Sequence, residues 1–354
     1  MGYPFAEKYS GKGIFLNSNI NPFGPSPLAL RRLRLALKNA NFYPSDYSNL
    51  KRKLVKVLSY QGINIDERQI VFGNGSDEAI EFVFKFLMRK HPNLTVITGE
   101  GTFAFYEYCA RSLGLKVVKV KLKDYGYDLE STLDVARKNK PAIICFSNPI
   151  NPTGKIIPFR DYESFLNLCG DGIFVLSDEA YFEFAYFLNK KGWRGDDYRS
   201  ALHISKEDNI FVTRTFSKVF GLAGLRLGYL ISSFSHEIEN EIKPPFNVNY
   251  FAILAGESAL SDKKHILKTL RNNLDGMTIL EKFFGDMDVF FVGSWANFIF
   301  FRVKKKDVKD ELRRKGIFVR DMAAYGFPEF LRVSIGKKND ILAFCKNFRK
   351  MLLQ

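Results

Sequence analysis

Short runs of apolar, β-branched and aromatic residues recur along the first two-thirds of the chain. Most are apolar throughout, which is typical of strands covered on both faces, as in a parallel sheet. Between them lie stretches with apolar residues three and four positions apart, such as Ile80, Val83, Phe84 and Leu87, which predict amphipathic helices. The strand-like runs are 69–72, 94–97, 116–122, 142–146, 173–176, 209–213 and 227–232. This alternation predicts an α/β fold, with a mostly parallel sheet sandwiched by helices.

The pattern changes near Lys243-Pro244-Pro245, where consecutive prolines interrupt it. Long helical segments follow over 249–260 and 262–284, then short strand-like runs and a last helix over 340–353. This mixture predicts a second, smaller α+β domain. We therefore expect a division into three parts: an N-terminal arm that joins the small domain (1–39), a large domain (40–240) and a small C-terminal domain (241–354).

Composition narrows the class of protein. The 354 residues are 46% hydrophobic and include 35 phenylalanines, which excludes a disordered chain. No apolar run reaches the length of a membrane-spanning helix, and the N-terminus does not resemble a signal peptide. The four cysteines and four histidines are scattered without ligand spacing, so we expect no metal site and reduced thiols in the cytoplasm. The net charge of +15 is compatible with a solvated basic surface or with attraction of anions.

Polar segments follow four of the strand-like runs, at the positions where an open α/β sheet binds its ligands. The segment Gly73-Asn74-Gly75-Ser76-Asp77-Glu78 combines a glycine turn with a helix predicted to start at Ser76, whose free amides can hold an anion. Two Asn-Pro pairs fix the loop over 148–152. Asp178 ends an apolar run, and a buried carboxylate needs a cation or hydrogen-bond donors. Lys218 lies among apolar residues and glycines, which favours a neutral amine that can attack a carbonyl.

Taken singly, these segments have plain structural explanations: a strand-to-helix turn, a proline-fixed loop, a helix cap and a surface lysine. The combination is more specific. An anion-binding turn, a strand-end aspartate and a strand-end lysine, in this chain order, are the groups that pyridoxal phosphate requires of a protein.

Five segments carry a resemblance to a known family: GNGSDE, SNPINPTG, SDEAYFEF, TFSKVFGLAGLRLGY and LRVSIG. They are similar to the fold-type I, class I/II pyridoxal-phosphate aminotransferases, and most of all to the histidinol-phosphate aminotransferase family. The likeness runs from about Leu16 to the C-terminus. It implies a fold-type I transferase with pyridoxal 5′-phosphate as its cofactor.

The resemblance also implies roles for individual residues. Lys218 resembles the lysine that forms a Schiff base with the cofactor and then shuttles the proton at the substrate Cα. Asp178 is expected to pair with the protonated pyridine nitrogen. Tyr181 and Asn151 are expected to bind the phenolic oxygen, and Phe103 to stack on the ring. The residues expected around the cofactor phosphate are Gly75, Ser76, Asp77, Thr215, Ser217 and Arg226.

Further residues are implied to bind substrate or to join two subunits. Arg332 matches the arginine that grips the substrate α-carboxylate, and a guanidinium suits a carboxylate bidentately. Arg320 resembles the arginine that binds the substrate phosphate. Tyr43 resembles a tyrosine that reaches the cofactor phosphate of the other subunit, which implies a homodimer with shared active sites.

The N-terminal arm departs from the family pattern Asn-Glu-Asn-Pro-Tyr. Here the segment is Asn19-Ile20-Asn21-Pro22-Phe23, so Ile20 replaces an acid, and Phe23 replaces a tyrosine whose hydroxyl helps to hold the substrate phosphate. Such an arm is similar to the threonine-phosphate decarboxylases, which are close relatives. Asn21 and Phe23 are nevertheless expected to contact substrate.

We expect a cytoplasmic enzyme that exchanges an amino group between L-glutamate and imidazole-acetol phosphate, a step of histidine biosynthesis. The alternatives are a phospho-amino-acid decarboxylase and an aminotransferase for another phosphorylated or aromatic substrate. A nucleic-acid-binding regulator on this fold would need an added DNA-binding domain, for which the sequence leaves no room before Leu16 or after the last helix. We therefore expect no nucleic-acid partner and no membrane partner.

Overall fold

The computed structural model describes residues 12–44, 47–204, 209–305 and 307–352. Within these ranges the α-helices are α1 (Pro27–Ala36), α2 (Ser48–Ser59), α3 (Gly75–Lys90), α4 (Phe105–Ser112), α5 (Leu129–Lys138), α6 (Phe159–Leu168), α7 (Phe182–Lys190), α8 (Ser235–Glu241), α9 (Tyr250–Ser261), α10 (Lys263–Asp286), α11 (Val308–Arg314) and α12 (Lys338–Leu352). None of them is long and apolar enough to cross a membrane.

The strands of the same ranges follow. They are β1 (Ile14–Leu16), β2 (Ile70–Asn74), β3 (Thr95–Gly99), β4 (Lys116–Val120), β5 (Leu122–Lys123), β6 (Gly126–Tyr127), β7 (Ala142–Ser147), β8 (Ile173–Asp178), β9 (Ile210–Thr215), β10 (Leu227–Ile231), β11 (Phe291–Val292), β12 (Phe298–Arg302), β13 (Ile317–Asp321) and β14 (Phe330–Ser334).

A seven-stranded sheet forms the centre of the molecule, in the order β2-β10-β9-β8-β7-β3-β4. Only β10 runs antiparallel to its neighbours in this sheet. The central strands are buried along their whole length because helices cover both faces. The mostly parallel sheet predicted from the apolar runs is confirmed. Its carboxyl edge gathers the ends of β2, β7, β8 and β9.

One predicted strand was too long. The run over 116–122 is divided into β4 and β5, and β5 pairs with β6 in a small hairpin. Asp124 and Tyr125 both have positive φ angles, which makes the tight turn that joins the two short strands. The dipeptide Asp-Tyr is a weaker sequence signal for such a turn than Asn-Gly.

A second sheet has five strands in the order β1-β13-β14-β12-β11. Strand β1 comes from the N-terminal arm and pairs parallel with β13, and the remaining pairs are antiparallel. Helices α10, α11 and α12 pack against this sheet in a core of aromatic and aliphatic residues. Strand β1 of the arm is therefore part of the second sheet, whereas α1 packs against α9.

Helix α10 contributes side chains to two hydrophobic cores. Leu270, in its N-terminal half, packs with α2, α9 and β2. Met277, two turns later, packs with the strands of the second sheet. The boundaries at residues 39/40 and 240/241 stay a prediction from the sequence.

Candidate active site

One cavity at the carboxyl edge of the large sheet brings together ten of the residues singled out in the sequence. They are Ser76, Asp77, Phe103, Asn151, Asp178, Tyr181, Thr215, Ser217, Lys218 and Arg226. These residues follow β2, β3, β7, β8 and β9, and Arg226 immediately precedes β10. The parallel arrangement of β2, β7, β8 and β9 is what places their polar ends at one edge.

The turn from β2 into α3 forms one wall of the cavity. The helix begins at Gly75, one residue earlier than predicted, and Gly75 has a φ angle of +77° that favours glycine. Gly228 of β10 lies against this turn, and a Cβ there would overlap the backbone of Gly75 and Ser76. The turn is further held by Glu78, whose side chain accepts hydrogen bonds from the Asn74 amide and from Asn247, both at 2.7 Å. Ser76 and Asp77, at the start of α3, therefore line the cavity in a fixed position.

Hydroxyl and guanidinium groups complete this end of the cavity. The Thr215 hydroxyl donates to Ser217 Oγ at 3.0 Å, and the Ser217 amide donates back to Thr215 Oγ1 at 3.1 Å. Arg226 Nη2 lies 2.9 Å from Asp77 Oδ2 in a half-exposed ion pair. Burial raises the pKa of Asp77, and the Arg226 charge opposes that shift. Helix amides, two hydroxyls and an arginine are a set of donors suited to a phosphate.

Asp178 ends β8, lines the same cavity and is buried. The Tyr106 hydroxyl donates to its Oδ2 at 2.8 Å, and the Ala180 amide donates to its Oδ1 at 3.2 Å. Burial raises the pKa of Asp178 to about 6, although the Tyr106 hydrogen bond opposes this shift. A cationic partner in the cavity would stabilise the charged form of this buried carboxylate.

Lys218 lies in the segment that follows β9, with its Nζ 5.6 Å from the centre of the Tyr181 ring. Burial lowers its pKa to about 8, and the positive charge of Arg332 acts in the same direction. A lysine with this pKa is partly neutral near pH 8, and a neutral amine is a nucleophile and a base. No hydrogen bond within the described ranges occupies its Nζ.

Tyr181, Asn151 and Phe103 line the space between these groups. Tyr181 is buried, which raises its pKa, and its hydroxyl accepts a hydrogen bond from Asn19 at 2.9 Å. Asn151 Oδ1 accepts from Arg332 Nη1 at 2.5 Å. Phe103 packs edge-on against Tyr106, with ring centres 5.4 Å apart.

The two arginines that the resemblance implied for substrate lie on neighbouring strands of the second sheet. Arg332 on β14 is directly opposite Arg320 on β13, so their side chains are on the same face. Neither lines the cavity itself. Arg332 is buried, and its Nη2 donates to the carbonyl of Asn17 at 3.1 Å. Two like charges directly opposite each other are unfavourable unless an anion lies nearby.

The remaining expected site residues lie away from the cavity walls. Asn21 uses its amide to hold the Val219 carbonyl and the Thr269 hydroxyl, at 2.7 and 3.0 Å. Phe23 is half-buried, and Lys268 Nζ lies 4.0 Å from its ring centre. Tyr43 is 76% exposed, with its ring 4.9 Å from that of Phe246. Substrate or subunit roles for these three stay predictions.

Four residues of the site environment were not singled out in the sequence. Tyr106 supports Asp178, Gly228 leaves room for the α3 turn, and Asn19 contacts Tyr181. Ser147, at the end of β7, also lines the cavity. Gly228 and Ser147 lie inside quoted motifs and could have been found there. Tyr106 follows Phe103 at helical spacing and looks like an ordinary core residue.

The stability of the cofactor-free protein should depend on the protonation of Asp178. Its pKa is about 6 in the folded chain, against 3.8 unperturbed, so its contribution favours folding in acid and is lost as pH rises through about 6. Between pH 5 and pH 8 the protein should lose about 1 kcal/mol more of its unfolding free energy than the Asp178→Asn variant loses. Urea unfolding of both proteins at the two pH values measures the difference. Equal losses in the two proteins would contradict the raised pKa.

Comparison with known proteins agrees with this geometry. Residues 12–348 match the family model described as aminotransferase class I and II. Histidinol-phosphate aminotransferase 1 of Nitrosococcus oceani is 33% identical, over 99% of this chain and 93% of that protein. Histidinol-phosphate aminotransferase 1 of Thiobacillus denitrificans is 36% identical, over 91% of this chain and 81% of that protein.

The fold also agrees with a solved structure. The histidinol-phosphate aminotransferase of Sinorhizobium meliloti, solved in complex with pyridoxal-5′-phosphate, superposes with a TM-score of 0.82 at 23% identity, covering 95% of this chain and 91% of that one. With the match of the family model and two relatives above 30% identity along nearly the whole chain, the protein belongs to the class I and II aminotransferases and, within them, to the histidinol-phosphate aminotransferase family.

Proposed function

We propose that this enzyme is a histidinol-phosphate aminotransferase, which interconverts imidazole-acetol phosphate and L-glutamate with L-histidinol phosphate and 2-oxoglutarate. The observation that carries the proposal is the convergence of Lys218, Asp178 and Arg226 on one cavity, in a chain of this family. Pyridoxal 5′-phosphate is the cofactor that this set of groups fits.

The fit can be judged from the cavity walls. The α3 amides, the hydroxyls of Thr215 and Ser217, and Arg226 supply donors for a phosphate at one end. Asp178 supplies a carboxylate for a protonated ring nitrogen at the other. The Lys218 amine lies within the same cavity for covalent attachment. Arg226 currently pairs with Asp77, and a phosphate would compete for this guanidinium.

When bound, the cofactor supplies an electron sink that makes the Cα–H bond of the substrate acidic. Lys218 would hold the cofactor and, once its amine is released, would accept the proton from the substrate Cα, because its lowered pKa favours the neutral amine. Asp178 would pair with the ring nitrogen, and its negative charge would favour the protonated form of that nitrogen. Arg332 would bind glutamate through its α-carboxylate and so orient its Cα–H bond.

The substrate class follows from charge. Arg332 and Arg320 lie side by side on one face, and both glutamate and a phosphorylated substrate bring an anionic group in addition to the reacting centre. A fixed pair of guanidiniums suits such doubly anionic ligands. Phe23 lacks the hydroxyl of the family tyrosine, so phosphate binding in this chain depends more heavily on the arginines.

A half-reaction screen tests the proposal. Cofactor absorbance of the loaded enzyme would be followed as glutamate, histidinol phosphate, phosphothreonine, phosphoserine and phenylalanine are added in turn. Glutamate and histidinol phosphate should convert the cofactor to its amine form. Release of carbon dioxide from phosphothreonine would favour a decarboxylase instead. Conversion by phenylalanine alone would favour an aromatic aminotransferase.

Replacing Arg332 by lysine should slow the glutamate half-reaction by about 10- to 100-fold, because a point charge cannot reproduce a bidentate bond worth about 1.5–3 kcal/mol. Stopped-flow absorbance measures the rate. Arg302→Lys is the matched control: Arg302 lies on the neighbouring strand β12 but forms a partly exposed ion pair with Glu329. An unchanged rate in the Arg332 variant would remove this residue from the substrate site.

We further propose a homodimer with shared active sites. Tyr43 and Phe246 form an exposed aromatic pair, and Phe42, Leu35 and Leu37 are each more than 60% exposed. Exposed apolar groups of this kind mark protein contacts. Light scattering would give the mass of a dimer. The cytoplasmic location is likewise proposed, because the four cysteines are scattered along the sequence without the spacing of a disulfide framework.

A further inference from the structure

Three asparagines of the N-terminal arm are buried at alternate positions: Asn17, Asn19 and Asn21. Each forms a hydrogen bond with a residue of the candidate active site or with a residue next to one. The Asn17 carbonyl accepts from Arg332, and Asn21 holds the carbonyl of Val219, the residue after Lys218. Asn19 is the member of the three that contacts a cavity-lining side chain, Tyr181.

The orientation of the Asn19 amide is determined by Ser334 of β14. The backbone amide of Asn19 donates to Ser334 Oγ at 2.8 Å, so this hydroxyl accepts from a group that can only donate. Its own proton is then given to Asn19 Oδ1 at 2.7 Å. With the oxygen taken in this way, Asn19 Nδ2 faces Tyr181 and donates to its hydroxyl at 2.9 Å.

This bond determines what the Tyr181 hydroxyl can do. A phenol has one proton to give, and its oxygen here already accepts from Asn19. Among the described residues no acceptor takes the Tyr181 proton, and Tyr181 lines the cavity. The proton is therefore available to a ligand inside the cavity.

We propose that Asn19 is a positioning residue, which directs the Tyr181 proton onto the phenolic oxygen of the bound cofactor. The inference rests on the proposed function, because it requires the cofactor to be attached to Lys218 with that oxygen near Tyr181. A proton donated to this oxygen stabilises negative charge on it. The chromophore formed with Lys218 consequently holds its own proton less tightly.

The test is a spectrophotometric pH titration of the purified holoenzyme, which reports the chromophore without any turnover. Asn19 has a φ angle of +54°, so the variants are Asn19→Gly, which adopts this conformation freely, and Asn19→Asp, which tolerates it and can only accept when ionised. Asn19→Asp draws the Tyr181 proton towards itself. We expect the spectral midpoint to rise by about 0.5 to 1 pH unit in this variant, and by a smaller amount in Asn19→Gly.

The Tyr181→Phe variant tests whether Asn19 acts through the Tyr181 hydroxyl. It should raise the midpoint itself, and adding Asn19→Gly to it should then change nothing, since the residue through which Asn19 acts is gone. Ser18→Ala, a neighbouring change in the arm whose side chain contacts only Asn17 in the described structure, should keep the wild-type midpoint.

The outcomes separate the inference from the function. A wild-type protein that takes up no cofactor, or shows no coloured adduct with Lys218, overturns the proposed function. A wild-type protein that titrates normally, with Asn19→Asp and Asn19→Gly at the same midpoint, overturns only the role of Asn19. A shift from Asn19→Gly that persists in the Tyr181→Phe background also overturns it, because the effect would then reach the cofactor by another route.

Discussion

Replacing Lys218 by alanine should abolish transamination, with a loss of at least about 10³-fold in the glutamate half-reaction, while the protein still binds its cofactor. Alanine can neither attach the cofactor nor move the proton at Cα. The α3 turn, Arg226 and Asp178 are untouched by the change and still supply contacts at both ends of the cavity. Affinity should therefore fall far less than the rate.

Two measurements check this expectation. Absorbance of the cofactor after glutamate addition gives the half-reaction, and borohydride reduction followed by peptide mass analysis identifies the attached lysine in the wild-type protein. Lys282→Ala, an exposed change on α10, is the control and should leave both unaltered. Reduction that labels a lysine other than Lys218, or a variant with normal rates, would refute the assignment.

Replacing Glu179 by alanine should lower the unfolding free energy by about 3–5 kcal/mol, because it leaves the Arg214 guanidinium buried without its carboxylate. Both side chains of this pair are 1% exposed, and Arg214 Nε and Nη2 contact Glu179 Oε2 at 3.0 and 2.9 Å. Ser200 and the Ala201 amide donate to the same carboxylate, so it is fully hydrogen-bonded.

The position of this pair gives it a second effect. Glu179 follows Asp178 directly, and Arg214 immediately precedes Thr215, so the pair joins the ends of β8 and β9 beneath the cavity. Loss of stability should be accompanied by weaker cofactor binding.

Urea unfolding measures the loss of unfolding free energy. The control is Asp197→Ala: its partner Arg199 is about half exposed, and the change should lower the unfolding free energy by less than about 1 kcal/mol. Equal costs for the two variants would contradict the argument.

The strands of the large sheet could be predicted because burial on both faces makes them apolar throughout, as in β7 and β8. The functional residues at their ends were visible for the same reason: Asp178 and Lys218 are polar groups that follow apolar runs. The division between β4 and β5 was missed because β5 leaves the large sheet to pair with β6. The turn that makes this pairing possible has positive φ angles at Asp124 and Tyr125, which the sequence does not indicate.

The part of the site that the sequence did not disclose depends on distant contacts. The hydrogen bond between Asn19 and Tyr181 joins residues 162 positions apart, and the bond between Tyr106 and Asp178 joins residues 72 apart. A buried asparagine in a polar arm and a tyrosine on an apolar helix face carry no local signal of these partners. The first pair forms only when the N-terminal arm lies against the end of β8, and the second only when α4 packs on the large sheet.

The two cores share helix α10, and this sharing limits how the chain can be divided. A fragment starting at residue 241 would retain α10 and α9 but lose β2 and α2, against which Leu270 and the buried face of α9 pack. Apolar side chains of both helices would then be uncovered, and an isolated C-terminal fragment would tend to aggregate although its own sheet is complete except for β1.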